Sequence, residues 1–327
     1  MTQLTISDIK SDISRISALE PIFARHETFH PRFGWLKKGF DWAAKDSERT
    51  AEMSEVASDI ASSIFLREDA PVLLGVGKNM VRSIRYWCQT FKVLKEDSPA
   101  DFGKQLFSDN GWDSFLEDPA SLWLLHWNLL KPTCEAAAWY FTFFVFRKVE
   151  FTADDLLTEL NQWQKTLKKT VVESSLKKDI SCILRMYSSE ETKAGYVEDS
   201  IDCPFQELGI IQNSGNSKRY TFKTGAKANL PAEVIVATCL EYASQTSEGA
   251  KTIAISRLLY DLGSPGLAFK LSETVLCDAI EKIARSNDSL NLSDSAGLIQ
   301  FSYNDDPKKL ADDILDKYYQ SRSGKSK

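Results

Sequence analysis

The chain has 327 residues, 43% hydrophobic and 26% charged, with a net charge of −6. That length holds two or three cores, and the composition is that of an ordinary soluble globular protein. The acidic balance excludes a chain that coats nucleic acid over its whole surface, so any polyanion site must be a local patch.

Residues 1–24 carry Leu4, Ile6, Ile9, Ile13, Ile16 and Leu19 near helical spacing and are expected as an amphipathic lead-in. His26 to Phe40 (HETFHPRFGWLKKGF) interleaves aromatics with Arg32, Lys37 and Lys38 around Pro31 and two glycines, a composition that predicts an ordered irregular loop. Residues 51–65 read as a helix with Met53, Val56, Ile60 and Ile64 on one face.

The stretch LLGVGKNMVRSIRYW at residues 73–87 is the most informative one. From Lys78 to Lys95 it holds five Lys/Arg and no Asp or Glu, a local reversal of sign in an acidic chain. At helical spacing Lys78, Arg82, Arg85, Gln89 and Lys92 fall on one stripe, and Val81, Ile84, Cys88 and Phe91 on another about 100° around the axis. A helix anchored by its apolar stripe after a glycine turn is the expected geometry of a helix-turn-helix element.

Residues 102–146 are aromatic and expected to be a largely buried helical region, with Pro119 and Pro132 at helix starts or breaks. Thr152-Ala153-Asp154-Asp155 resembles an N-cap with acidic first-turn residues. A second helix at 176–187 follows, then two β-like runs at 208–211 and 219–222, separated by turn-forming residues 213–217. The order recurs with helices at 233–242, 253–262 and 271–285 and a hairpin from 290–292 and 297–303, before a basic tail, SRSGKSK. The expected fold is mainly α, with several helix-turn-helix or winged-helix-like modules and short β-hairpins. The expected divisions are 1–100, 101–148, 149–228 and 229–327.

Chemical motifs are few. Gly75-Val76-Gly77-Lys78 lacks the distal glycine and the Ser/Thr of a phosphate loop, since Val72 and Asn79 stand there. His26-Glu27-Thr28-Phe29-His30 spells HExxH, but Pro31 disfavours helix at His30, which separates the two rings. His126, between Leu125 and Trp127, reads as a core histidine. The six cysteines form no CxxC pair, as expected of buried thiols in a reducing compartment. The first residues are polar and charged, without a basic-then-apolar signal pattern, and the most apolar run, 136–145, is too short to span a membrane, so a cytoplasmic protein is expected. No catalytic residue, metal ligand or cofactor is predicted.

At HETFHPRFGWLKKGF and LLGVGKNMVRSIRYW the chain resembles a bacterial domain-of-unknown-function family across most of its length. Genes of that family often lie beside phosphoadenosine-phosphosulfate-reductase-like genes of DNA phosphorothioation and related phage-defence systems. The resemblance implies DNA as a partner, together with sulfur-modification or restriction proteins. The expected function is therefore a DNA-binding accessory component. Its contacts would be Lys78, Asn79, Arg82, Arg85, Gln89 and Lys92, with Arg32, Lys37 and Lys38 as a second patch. The alternatives are an adaptor for a sulfur-transfer or nuclease subunit and a metal-dependent hydrolase using the HETFH segment.

Overall fold

A computed structural model describes residues 21–52, 63–167, 170–188, 203–213, 218–246 and 249–323. Helices dominate. The expected lead-in helix, most of the 51–65 helix and the end of the basic tail lie outside the described residues.

The N-terminal part holds α1 (Trp35–Glu52), a 3-10 turn (Ile64–Leu66), α2 (Ala70–Leu74) and α3 (Lys78–Thr90), then a two-residue ladder of β1 (Leu94–Lys95) and β2 (Ser98–Pro99). The segment from Trp35 to Phe40 was expected as loop and is the start of α1. Gly34 ends the loop with a positive φ of 76°, and Trp35, Leu36, Phe40 and Ala43 are buried from there on. Gly39, which argued against helix, is required by packing. A Cβ built on it would stand 2.4 Å from Cys88 Sγ and 3.0 Å from Ile84 Cγ2 on α3. Gly39→Ala is therefore expected to cost about 1–3 kcal/mol through overpacking. Cys88→Ala in the same chain should recover part of that loss, read by urea unfolding of the four proteins of the cycle. Additive costs would mean that α1 shifts freely.

The middle of the chain holds α4 (Asp101–Phe107), α5 (Pro119–Leu130) and α6 (Ala137–Tyr140), the last continuing as a π turn (Phe141–Val145). Asp118 caps α5 and Pro119 occupies its first turn, where a missing N–H costs nothing. Trp87, Trp123, Trp127 and Trp139 are fully buried, and one continuous apolar core runs through all the described parts. The expected aromatic helical centre is thus present.

Two similar arrangements follow. In the first, β3 (Glu150–Thr152) leads through α7 (Ala153–Gln164), α8 (Glu173–Tyr187) and a 3-10 turn (Pro204–Leu208) to β4 (Ile211–Asn213) and β5 (Arg219–Phe222). Thr152 and Asp155 form a reciprocal capping box at the start of α7. In the second, α9 (Ala232–Thr246) precedes β6 (Thr252–Ala254). The chain then runs through α10 (Ile255–Tyr260), α11 (Pro265–Phe269) and α12 (Glu273–Ala284) to β7 (Leu290–Ser295) and β8 (Leu298–Tyr303). The antiparallel sheets have the orders β3-β5-β4 and β6-β8-β7, each placing the strand that precedes the helices beside the last strand. Phe151 pairs with Tyr220, and Ile253 with Phe301. The β7–β8 loop is Ala296-Gly297, both with positive φ (54° and 81°), as a two-residue turn between twisted strands requires.

Local corrections concern the ends of these elements. Ile253 was expected in a helix and lies in β6, and Leu208 closes a 3-10 turn rather than opening a strand. A further helix, α13 (Pro307–Ser323), runs where only a tail was expected. Asp306 accepts from the amides of Lys308 and Lys309 at its start, and it packs along α9. Its polar contacts return to the residues around α5: Tyr318 and Arg322 to Asp118, and Tyr319 to Ser121 at 2.9 Å.

Candidate nucleic-acid interface

The candidate site is built on α3. Gly75 ends α2 with a φ of 64° and caps it through its own N–H, while Gly77 stands at the N-cap of α3 with an ordinary φ of −65°. Only the first glycine is demanded by backbone conformation. No side chain caps α3 and no acidic residue occupies its first turn. Its free amides and helix dipole therefore present positive potential.

Burial consumes most of the helix circumference: Val81, Ser83, Ile84, Tyr86, Trp87, Cys88 and Thr90 are all buried. Most of what remains exposed or half-exposed lines a cleft of about 890 Å³, with Asn79 and Met80 outside its lining. Lys78, Arg82, Arg85 and Gln89 form one wall, and Arg25, Glu27, Phe65, Arg67, Glu68, Pro71 and Glu135 are among the others. Five cationic side chains face three carboxylates there, reversing the sign of the whole chain.

These cations are not equally available. Arg85 Nε donates to Asp97 Oδ1 at 2.7 Å, and Gln89 Nε2 donates to the same oxygen at 2.7 Å. Arg67 makes a two-point contact with Asp69 at 2.6 and 2.9 Å, which raises its pKa and holds the Asp69 carboxyl below its ordinary range. Arg82 approaches Glu27 only at 3.7 Å, its side chain 56% exposed. Lys78 and Arg25 have no ion pair among the described residues. Lys78, Arg82 and Arg25 are thus the groups that a phosphate could engage with the least competition, and Asn79 is exposed beside them.

Lys92 has a different position from the one its spacing suggests. The helix ends at Thr90, and Lys92 adopts a positive φ of 58°. Its ammonium donates to the carbonyls of Asn128 and Lys131, closing the C-terminal end of α5. Burial pushes its pKa down to about 8. The second patch lies outside the cleft. Arg32 stands 5.6 Å over the Trp35 ring, Lys37 pairs with Asp41 at 2.5 Å, and Lys38 donates to Leu74 O at 3.0 Å.

The HETFH segment is a turn, with Glu27 and Thr28 at positive φ (50° and 69°), so its histidines share no helical face. His26 is fully buried against Trp87 and Trp139, and its Nε2 meets Asp179 Oδ1 on α8 at 2.8 Å. Phe29 O accepts from Trp87 Nε1 at 3.1 Å, and Thr28 O from Arg185 at 2.7 Å. The segment ties α3 to α8 and projects Glu27 into the cleft. Arg25 and Arg67, the cations that sequence reasoning missed, come from turns and carry no periodic signal. Only folding sets them opposite α3.

These features define a helical protein with two three-stranded units and a cation-lined cleft. The chain belongs to the family described as "Protein of unknown function (DUF4007)", whose sequence model matches residues 23–319. It is similar to two solved structures. One is of SspB, 36% identical over 92% of this chain and 89% of that one, with a TM-score of 0.81. The other is of magnesium ion-bound SspB, 34% identical over the same shares, with a TM-score of 0.80. No curated protein matches. Among the described residues no group of three or more His, Cys, Asp or Glu side chains comes together as a metal site. No helix among them is long and apolar enough to cross a membrane.

Proposed function

We propose that this protein is a DNA-binding component of a bacterial DNA-modification or phage-defence system of the phosphorothioation type. Its partners would be DNA and the sulfur-modification or restriction proteins of that system. The system-level part of this reading is supported by the likeness to SspB and by the resemblance to a family encoded beside phosphorothioation genes. The DNA-binding part rests on one observation, the cluster of Arg25, Lys78 and Arg82 about the uncapped start of α3 in an acidic chain. A helix terminus and exposed cations together favour phosphate.

The two three-stranded units support the same reading. A helix, a strand, helices and a final hairpin, with the first strand beside the last, is the order of a winged helix, and helix-turn-helix relatives of that kind dock on duplex DNA. The second unit follows the whole order from α9 to β8. In this reading 149–228 and 229–327 are two winged-helix-like modules behind an N-terminal module (1–100) and an aromatic centre (101–148). Lys78, Asn79 and Arg82 are the primary phosphate contacts, with Arg85 and Gln89 contributing once released from Asp97. Arg32, Lys37 and Lys38 are auxiliary contacts, and Lys92 acts by fixing α3 against α5.

The test is anisotropy of a labelled DNA duplex titrated with the protein between about 50 and 200 mM salt. Each cation removed from a phosphate contact lowers the salt slope by about one, so Lys78→Ala with Arg82→Ala should lower it by about two. Both side chains are exposed, and the double variant should melt with the wild type. An unchanged affinity and slope would reduce the cleft to a solvated surface.

A further inference from the structure

Another cavity, of about 430 Å³, lies where α4, α5, α9 and α13 meet, and its lining shares no residue with the α3 cleft. The size is usual for a small-ligand site. Helical spacing turns one face of each helix toward it, as with Leu124, Trp127 and Asn128 on α5 and Ala311, Asp312 and Leu315 on α13. Phe102 and Trp112 extend the apolar wall. Trp112 is fixed in place, since it stacks on Tyr319 with centroids 5.3 Å apart and its Nε1 donates to Asp316 Oδ1 at 2.7 Å.

The polar groups of this cavity include acceptors that lack donors. Glu241 is satisfied, because Trp127 Nε1 donates to one of its oxygens at 2.6 Å and Lys131 Nζ to the other at 2.5 Å. Asn128 and Asp312 differ. Asn128 is only 3% exposed; its Nδ2 donates to Leu124 O at 2.8 Å, and its Oδ1 has no hydrogen-bond partner. Asp312 is half-buried, and its carboxylate has no hydrogen bond or ion pair among the described residues. Lys308, one turn earlier, is exposed and makes no ion pair with it. Burial raises the Asp312 pKa, and Asp316, Glu241 and Asp313 add to that effect against Lys308. A buried acceptor without a donor costs stability, and a cationic donor from outside would relieve both sites.

We propose that this cavity binds a guanidinium group on an apolar stem, with Asp312 and Asn128 accepting its hydrogen bonds and the aromatic wall covering the stem. A planar cation with several fixed donors suits a carboxylate and an amide carbonyl set beside indole rings. The same chemistry is offered by an arginine side chain of a partner protein and by a free alkylguanidine. The site does not rest on the DNA-binding reading above.

The test titrates the full-length protein, isotope-labelled at its indole nitrogens, with n-butylguanidinium chloride or its neutral counterpart N-butylurea at matched ionic strength. Nitrogen–proton correlation spectra follow the Trp112 and Trp127 indoles, assigned with Trp112→Phe and Trp127→Phe. Saturable shifts of both with butylguanidinium are expected, and binding of butylurea should be weaker by about tenfold or more. Asp312→Asn should weaken butylguanidinium by a similar factor, and its unliganded spectrum should match the wild type because Asp312 holds no bond in the fold. Lys78→Ala with Arg82→Ala should leave this binding unchanged while lowering the affinity for duplex. If the peptide N-acetyl-Gly-Arg-Gly-amide binds as well as butylguanidinium, the occupant is a partner's arginine. Binding of butylguanidinium without the peptide assigns a free alkylguanidine. The absence of a saturable shift overturns the site, as does equal binding of butylurea or binding unaltered by Asp312→Asn.

Discussion

Ile84→Asp is expected to abolish the folded state, whereas Arg82→Ala, two residues away on the same helix, should leave it intact. Ile84 is fully buried where α3 meets α1, 3.0 Å from the point a Gly39 side chain would occupy. Losing a large apolar side chain from such a position costs about 2–5 kcal/mol. An uncompensated buried charge costs a further 3–5 kcal/mol or so. Together they approach the whole stability of a typical domain, about 5–15 kcal/mol. Arg82 is exposed and makes only a long contact to Glu27, so its removal should fall within about 0.5 kcal/mol of the wild type. Circular dichroism and urea unfolding of the two variants decide this. A cooperative Ile84→Asp transition within about 2 kcal/mol of wild type would mean that α3 is not anchored through this face.

The second large effect is a loss of stability on mild acidification, carried by His126. Its Nε2 faces Ala268 O at 3.0 Å, and its Nδ1 faces Tyr187 Oη at 2.8 Å. A carbonyl only accepts, so Nε2 carries the hydrogen and Nδ1 accepts from the tyrosine hydroxyl. Both nitrogens are thereby satisfied by the neutral ring. Burial among aromatic rings pushes the pKa down from 6.5 to about 3, and Lys270 and Lys227 repel the charged form further. Between those two pH values the unfolded chain binds a proton that the folded chain refuses. Stability from this group is therefore fully present above about pH 6.5 and falls by about 1.4 kcal/mol per unit below it. Urea unfolding at pH 7.5, 6 and 5 should give a wild-type decline of roughly 2 kcal/mol from pH 7.5 to pH 5 attributable to His126. His126→Gln, which keeps a donor but cannot titrate, should flatten that part of the curve. Parallel curves for the two proteins would assign the acid sensitivity elsewhere.

The chain's local signals carried far in some places. Thr152 and Asp155 read as a helix start because capping is a short-range contest between side chain and backbone, and the capping box forms. Pro119 marked a helix start because a first-turn residue loses nothing by lacking an N–H. The apolar stripe of α3 was visible in its spacing, since Val81, Ile84 and Cys88 are all buried, although Ser83, Tyr86, Trp87 and Thr90 are buried beside them. His126 was legible as a core residue from its neighbours, although the two partners that hold it neutral lie 61 and 142 residues away.

Elsewhere local composition misled. HETFHPRFGWLKKGF looked irregular throughout because Gly39 counts against a helix in isolation, and only the approach of Cys88 explains it. The helix at Pro307–Ser323 escaped notice beneath a basic tail, although its tyrosines reach back to Asp118 and Ser121. The basic stripe is the clearest division between the two levels. Periodicity placed Lys78, Arg82, Arg85, Gln89 and Lys92 on one line, because side chains recur every 3.6 residues on any helix. Which of them keeps a free charge was decided by residues outside the helix. Asp97 takes Arg85 and Gln89, the end of α5 takes Lys92, and the turns at Arg25 and Arg67 complete a cleft around Lys78 and Arg82. Spacing is a property of a helix alone, whereas pairing and burial of charge depend on what the folded chain brings opposite it.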